Sequence, residues 1–406
     1  MSNITIGFVQ RERFSLAAEL LQRIFEYTQL PFNLIVVNCN IPNVYWNQME
    51  QVLTGRKNVS IIHHEHYLLP NQSKNLVIQA TEDEFLCLIE NDNLVKEGWL
   101  TQLMTACEEY PADVVVPLII EGPLGAGKVH FDDLLGTVQT VETPDGSKWE
   151  IVPRTDIKEL DWGSTERRTV QFMEQHCLFF RRKIFDQIGF YDEELNTRDE
   201  IDLSLALYKA GARVVFEPKC EVHYIPPYPP NEDELDYFFM KWDLKLAEES
   251  RVRIQQKWNL VHVPGDMEFV HDRNRIGQLH QVNATLKQLI PPEKPFILVD
   301  QAQWLGTEIV EGLHPIPFIE HGGNYWGDPA DSDTAIRELE RLKKSGAAYI
   351  VFAWHCFWWL DYYTSFRKYL DSTYDCILKD SYLVAFDLSS VKPQILASQK
   401  KVLADY

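Results

Sequence analysis

The chain has 406 residues, 45% of them hydrophobic and 12% aromatic, and a net charge of −21; that length exceeds one ordinary core and predicts two domains. The acidic balance opposes broad binding to nucleic acid or anionic lipid but leaves room for a local basic phosphate site. The start MSNITIGFVQRERF lacks a basic segment leading into an apolar run, the longest apolar runs, such as Val114–Ile120, are under half a membrane span, and the seven cysteines form no CxxC pair, which together predict a cytoplasmic protein with reduced thiols, no transmembrane segment and no cysteine zinc site.

In chain order, Ile4–Val9 reads as a buried strand, followed by a helix that Ser15 caps and whose face carries Leu16, Leu20, Ile24 and Phe25. Asn33–Asn38 and Val59–His64 are the next strands, Asn71–Ala80 is a helix, and Glu84–Ile89 is a fourth strand ending in Glu90-Asn91-Asp92. A helix over Glu97–Tyr110 and a strand over Asp113–Ile120 complete a β-α-β-α series, which predicts an α/β fold with a mainly parallel sheet and ligands beyond its carboxyl ends. Glu121–Arg168 reads as a long loop excursion. Order returns at Val170–Arg181, then helices at Lys183–Ile188 and Arg198–Ala210, the strand Arg213–Glu217 and a segment from Glu221 closed by prolines 226, 227, 229 and 230. Glu232–Trp258 reads as one long amphipathic helix and 259–292 as a linker. A second, smaller α/β pattern runs from Phe296–Val299 through a helix at Asp331–Ser345, the strand Ala347–Ala353 and a helix near Tyr363–Leu370 to Tyr382–Asp387. The expected domains are 1–258 and 293–406.

Glu90 and Asp92 flank Asn91 at a strand end, and alternation aims both acids the same way. Two hard oxygen ligands suit Mg2+ or Mn2+ carrying a diphosphate, although strand-end acids are also plain turn formers. Gly122–Lys128 fits G-x-x-x-x-G-K, yet Val129 stands where a P-loop needs Ser or Thr, so an NTPase is disfavoured. His63, His64 and His66 resemble a zinc cluster by composition alone. In the C-terminal part, His321–Pro329 and Ala353–Leu360 are rich in aromatics, which suits sugar stacking but suits a core better.

The ordered series Glu90-Asn91-Asp92, Arg181…Phe190-Tyr191-Asp192-Glu193, Arg198-Asp199-Glu200-Ile201-Asp202-Leu203, Ala210-Gly211-Ala212-Arg213-Val214…Pro218 and His223 resembles the inverting family 2 glycosyltransferases over roughly residues 4–227. The resemblance implies a GT-A fold and a hexosyltransferase-type enzyme that moves a sugar from a nucleotide-sugar donor to a glycan or lipid-linked cell-surface precursor, as in polysaccharide biosynthesis. It implies a Mn2+ or Mg2+ site at Asp92, Glu90 and His223, with Glu90 where the family usually has Asp. It puts Glu200 in the position of the general base, with Asp199 adjacent, and His176 and Arg198 toward the acceptor. Donor contacts are expected from Gln10, Arg11, Arg13, Asn38, Asn71, Asn75 and Asn91, with Lys74 in place of the usual Arg. Glu90, Asn38 and Glu200 depart from the pattern together, which motivates the alternative of a non-catalytic glycan- or nucleotide-binding module.

Overall fold

The computed structural model describes residues 3–131, 136–152, 166–226, 230–265 and 267–392; Pro227 and Pro229 of the proline cluster, and part of the 121–168 excursion, lie outside the described residues. The chain divides into two compact units, Met1–Gly277 and Gln278–Tyr406.

The first unit begins with the alternation the apolar runs predict: β1 (Ile4–Val9), α1 (Ala17–Tyr27), β2 (Asn33–Cys39), α2 (Asn43–Leu53), β3 (Val59–His64), α3 (Pro70–Ala80), β4 (Phe85–Glu90), β5 (Asn93–Val95), α4 (Trp99–Glu109) and β6 (Val114–Glu121). β1 and β4 are buried along their whole length, as central parallel strands should be. Ser15 does not cap α1; its hydroxyl accepts from Arg13 Nη2 at 2.6 Å, and the helix starts two residues later. α3 starts with Pro70 at its first position, and Gln72 Oε1 accepts from the Leu69 amide at 2.9 Å, so its entry is fixed by chemistry suited to a helix N-terminus.

The chain then adds β7 (Lys128–Phe131), the hairpin β8 (Thr137–Thr143) and β9 (Gly146–Val152), β10 (Arg168–Val170), β11 (Cys177–Arg181), α5 (Phe185–Ile188), α6 (Asp199–Ala210) and β12 (Val214–Tyr224). The expected loop excursion is therefore partly strand. Its hairpin buries Ile151 against Phe172, Ile201, Leu205 and Ile254. Sheet order is β10-β12-β6-β11-β4-β1-β2-β3, with β1, β2, β3 and β4 mutually parallel and β11 antiparallel to both β4 and β6. The connections run outward from β1 to β3 and then return to the other side of β1 as β4. That reversal opens a crevice beyond the carboxyl ends of β1 and β4. Gly7, in the middle of β1, has no room for a side chain: a Cβ there would stand 2.5 Å from Val77 of α3 and 2.8 Å from Leu88 of β4.

The expected single helix over Glu232–Trp258 is two, α7 (Leu235–Lys241) and α8 (Leu244–Lys257), because Asp243 opens a new helix by accepting from the Leu246 amide at 2.8 Å. Most of the expected linker is the helix α9 (Glu268–Leu289), whose Val270 packs with Phe238 and Trp242. Polar composition hid it, since its apolar residues are too spread to show a stripe.

The second unit has β13 (Pro295–Val299), β14 (His314–Pro317), the two-residue strands β15 (Glu320–His321) and β16 (Asn324–Tyr325), α10 (Ser332–Lys344), β17 (Tyr349–Ala353), α11 (Trp358–Tyr362), α12 (Thr364–Thr373), β18 (Tyr374–Lys379) and β19 (Leu383–Val391). Its sheet order is β14-β13-β17-β19-β18, and β14, β13 and β17 are parallel. Phe318, Trp359, Tyr363 and Phe366 fill its core. Among the described residues, no helix is long and apolar enough to cross a membrane.

Candidate active site

The crevice beyond β1 and β4 collects charge. Val9 O accepts from the Asn91 amide at 2.8 Å, and the Asn91 side chain accepts from the Arg11 amide at 3.1 Å and donates to Arg13 O at 2.5 Å. Asn91 thus fastens the loop after β1 to the end of β4; its role here is structural. From the far side Glu234 Oε1 takes the amides of Phe14 and Ser15, at 2.5 and 2.6 Å.

Glu90, 1% exposed, is held by Arg11 Nη1 at 2.9 Å and Lys74 Nζ at 3.0 Å, and Lys74 also reaches Asp199 at 3.1 Å and Gln175 Oε1 at 3.0 Å. Burial would raise the Glu90 carboxyl, but Arg11 and Lys74 hold it well below the usual range. Burial would likewise lower the Lys74 ammonium, yet Glu90 and Asp199 keep it above its ordinary value. The antiparallel register of β11, Cys177 opposite Ile89, brings His176 beside the triplet. Its Nδ1 lies 3.3 Å from Glu90 and 3.7 Å from Asp92, and its ring stacks on Tyr224 at 4.1 Å. The carboxylates of Asp92, Glu90 and Glu174 overcome burial and the Arg11 charge to raise this imidazole to about 9.

Ligand atoms of Glu90, Asp92 and His176 all lie within 4.8 Å of one another, and so do those of His130, Glu174 and His176. Asp92 is fully buried and its Oδ2 has no hydrogen-bond partner among the described residues, while His176 Nδ1 faces the carboxylates of Glu90 and Asp92. A buried orphan oxygen beside a second carboxylate and an imidazole fits a divalent cation, which would take the place of the imidazole proton. His223, expected as the third ligand, is in neither group: its Nδ1 donates to Gly122 O at 3.1 Å. His176, expected toward the acceptor, is in both groups. The strand register, which the sequence does not display, puts it opposite Glu90.

Asp199 and Glu200 open α6, which starts from Arg198 in the left-handed region (φ 60°). Asp199 is ion-paired to Lys74, which with Lys241 keeps its carboxyl low against the effect of burial. Glu200 is partly exposed, and burial, then the charges of Asp199 and Glu174, push it up to about 7. The two candidates for a base therefore separate by environment.

Several expected ligand contacts are structural links here. Asn75 donates to Tyr191 O at 2.9 Å and Glu193 at 2.8 Å and accepts from the Tyr191 amide; Asn71 donates to Asp192 O at 2.9 Å. Both tie α3 to the 191–193 turn. Gln10 donates to Ser73 at 2.5 Å, and Asn38 accepts from the Ile41 amide at 3.1 Å. Arg13 turns to Ser15 and Ile225 O, while Arg198 reaches Gly265 O at 3.3 Å and the Phe269 ring. Gly122–Lys128 is the turn of the antiparallel β6–β7 hairpin, with Lys128 paired to Glu121, so the strand-to-helix geometry of a P-loop is missing.

Residues 10–189 match the model of the family described as "Glycosyl transferase family 2". The chain carries a family 2 glycosyltransferase domain. The mainly parallel sheet of this transferase domain, with an acidic triplet after β4, is the GT-A arrangement its motifs led one to expect. The pre-mycofactocin glycosyltransferases of two Mycobacterium tuberculosis strains are each 21% identical over 160 residues, 39% of this chain and 31% of theirs; the chain spans about a third of the length of the curated relatives it matches. Similar solved structures include GalNAc-T7 with UDP, GalNAc and Mn2+ (16% identity, 71% of this chain and 58% of that one, TM-score 0.43). Another is the mannosyltransferase PcManGT of Pyrobaculum calidifontis with GDP-Man and Mn2+ (11%, 71% and 76%, 0.40). A third is S. aureus TarS 1–349 with UDP-GlcNAc (12%, 70% and 73%, 0.41). At such identities the chemistry of the transferase domain is read from its own residues.

Proposed function

We propose that the transferase domain moves a hexosyl group from a nucleoside-diphosphate sugar to a hydroxyl of a glycan or lipid-linked acceptor, in one displacement that inverts the anomeric centre. The carrying observation is a division of labour between carboxylates in one crevice. Asp92 keeps a buried, unbonded oxygen suited to a cation, whereas burial and the charges of Asp199 and Glu174 push the Glu200 carboxyl up to about 7, which suits it to a proton. Asp92, Glu90 and His176 would hold Mn2+ or Mg2+, which when bound offsets the charge of the departing diphosphate. Arg11 and Lys74 fix the Glu90 carboxylate, Asp199 steadies Lys74, and Glu200 takes the proton of the attacking hydroxyl. The seven free cysteines, six of them buried, suit a reducing compartment and support a place in the cytoplasm.

The test is nucleoside-diphosphate release from a panel of UDP-, GDP- and dTDP-hexoses, with and without Mn2+. The expected result is metal-dependent release from one donor, lost in Asp92→Asn; NMR of the product then reads its anomeric configuration. Absence of both release and donor binding by calorimetry overturns the reading. A second reading, a binding module without turnover, is favoured by one feature: both Glu90 oxygens already face cations. Donor binding without release in any metal would select it.

A further inference from the structure

The second unit has its own crevice edge. β13, β14 and β17 run parallel, so Asp300, Phe318 and Trp354 all follow carboxyl ends on one side of that sheet, where open α/β sheets bind ligands. Asp300 ties down the turn after β13 by accepting from the Ala302 amide at 3.0 Å and the Trp304 amide at 2.8 Å. His355, after β17, donates from Nε2 to Asp300 O at 2.9 Å. The turn so fixed holds Gln301 and Ala302 in the left-handed region, φ 50° and 60°, a conformation that costs non-glycine residues free energy and clusters at ligand sites.

That strained turn presents Gln301 to Asp328: its Nε2 donates to Oδ1 at 3.1 Å, and the Tyr325 hydroxyl donates to the same oxygen at 2.7 Å. The carboxylate is thus oriented while remaining exposed. Beside it in sequence stands Trp326, 71% exposed, its ring 5.0 Å from that of exposed His321. Burying an indole is strongly favourable, yet this one is left open in the same short loop as the aimed carboxylate. Tyr363, which donates to Pro329 O at 2.7 Å, fastens the same loop to the helix bearing the exposed pair Trp358 and Tyr362.

We propose that this edge is a carbohydrate-binding site, with Trp326 as the platform for a sugar face and Asp328 and Gln301 as partners for its hydroxyls. An exposed flat ring in a loop that also carries an exposed, oriented carboxylate matches a pyranose, which offers C–H groups on one face and donors at its rim. Charge selects a neutral glycan: Asp328 stays exposed in a chain of net charge −21, and the nearby Arg341 is taken up by Glu320 and Glu338. All its residues lie in the second unit.

The test uses the full chain and saturation-transfer NMR with neutral methyl glycosides of glucose, galactose, mannose, N-acetylglucosamine and rhamnose as probes. At least one should receive saturation. Trp326→Ala and Asp328→Ala should each weaken its binding about tenfold, equivalent to ~1.4 kcal/mol. Asp92→Asn, in the other unit, should leave that binding unchanged. Trp326 and Asp328 are exposed, so neither substitution opens a core, and near-UV circular dichroism checks this. The proposal is overturned if no glycoside receives saturation, if binding survives both C-terminal substitutions, or if Trp326→Ala abolishes only self-association in sedimentation velocity, which would mark the edge as a protein contact.

Discussion

At the scale of single residues, Glu200 has two measurable signatures. As a base it must be unprotonated, so kcat/KM of the wild type should rise with pH through about 7. Glu200→Gln should lose that limb and about 10²–10⁴-fold of kcat. The same group is a stability probe. Its folded value is raised from 4.5, so folding favours the protonated form, and the cost of keeping it charged grows as pH rises from 4.5 to about 7. Glu200→Gln should therefore raise Tm at pH 8, with a gain that shrinks as pH falls toward 4.5, read by differential scanning calorimetry. Lys74 is the opposite case. It is 1% exposed between Glu90 and Asp199, so Lys74→Met leaves two buried carboxylates short of a partner. The expected loss in urea unfolding is about 3–5 kcal/mol.

At the scale of elements, the loop after β1 is held by a distant acceptor. Glu234, just before α7, takes two of its amides. Glu234→Ala should cost about 1–3 kcal/mol in stability and raise KM for the donor more than it lowers kcat, because the loop carries Arg11. This scale also separates what the sequence discloses from what it conceals. β1, β2 and β4 are legible because they are apolar runs buried on both faces. The β8–β9 hairpin is not: neither strand keeps a two-residue burial period, and only Ile151 among its residues is fully buried. The Glu90–Asp92 triplet announces itself by composition and place. The place of His176 beside it does not, since antiparallel register joins residues 86 positions apart. Asn71 and Asn75 are not legible as tethers of the 191–193 turn, because the carbonyls they reach belong to a turn more than a hundred residues away.

At the scale of the whole molecule, the two-unit division follows from length, but its position does not follow from polarity. A chain ending at 258 would lose Val270, which is fully buried with Phe238 and Trp242. A fragment ending at 277 keeps that cluster and should melt cooperatively several degrees higher, by calorimetry of the two fragments side by side. Gly7 carries a consequence of a different kind. It lies under Val77, one helical turn beyond Lys74. The gap between sheet and helix is therefore a machining tolerance set by one absent carbon, and the ion network hangs from the same helix. Gly7→Ala would act as a shim, lifting α3 and prising Lys74 from Glu90 although nothing at position 7 touches either charge. Trimming the opposing surface with Val77→Ala should let the shim seat again and restore donor turnover, so that two changes, each damaging alone, offset one another together.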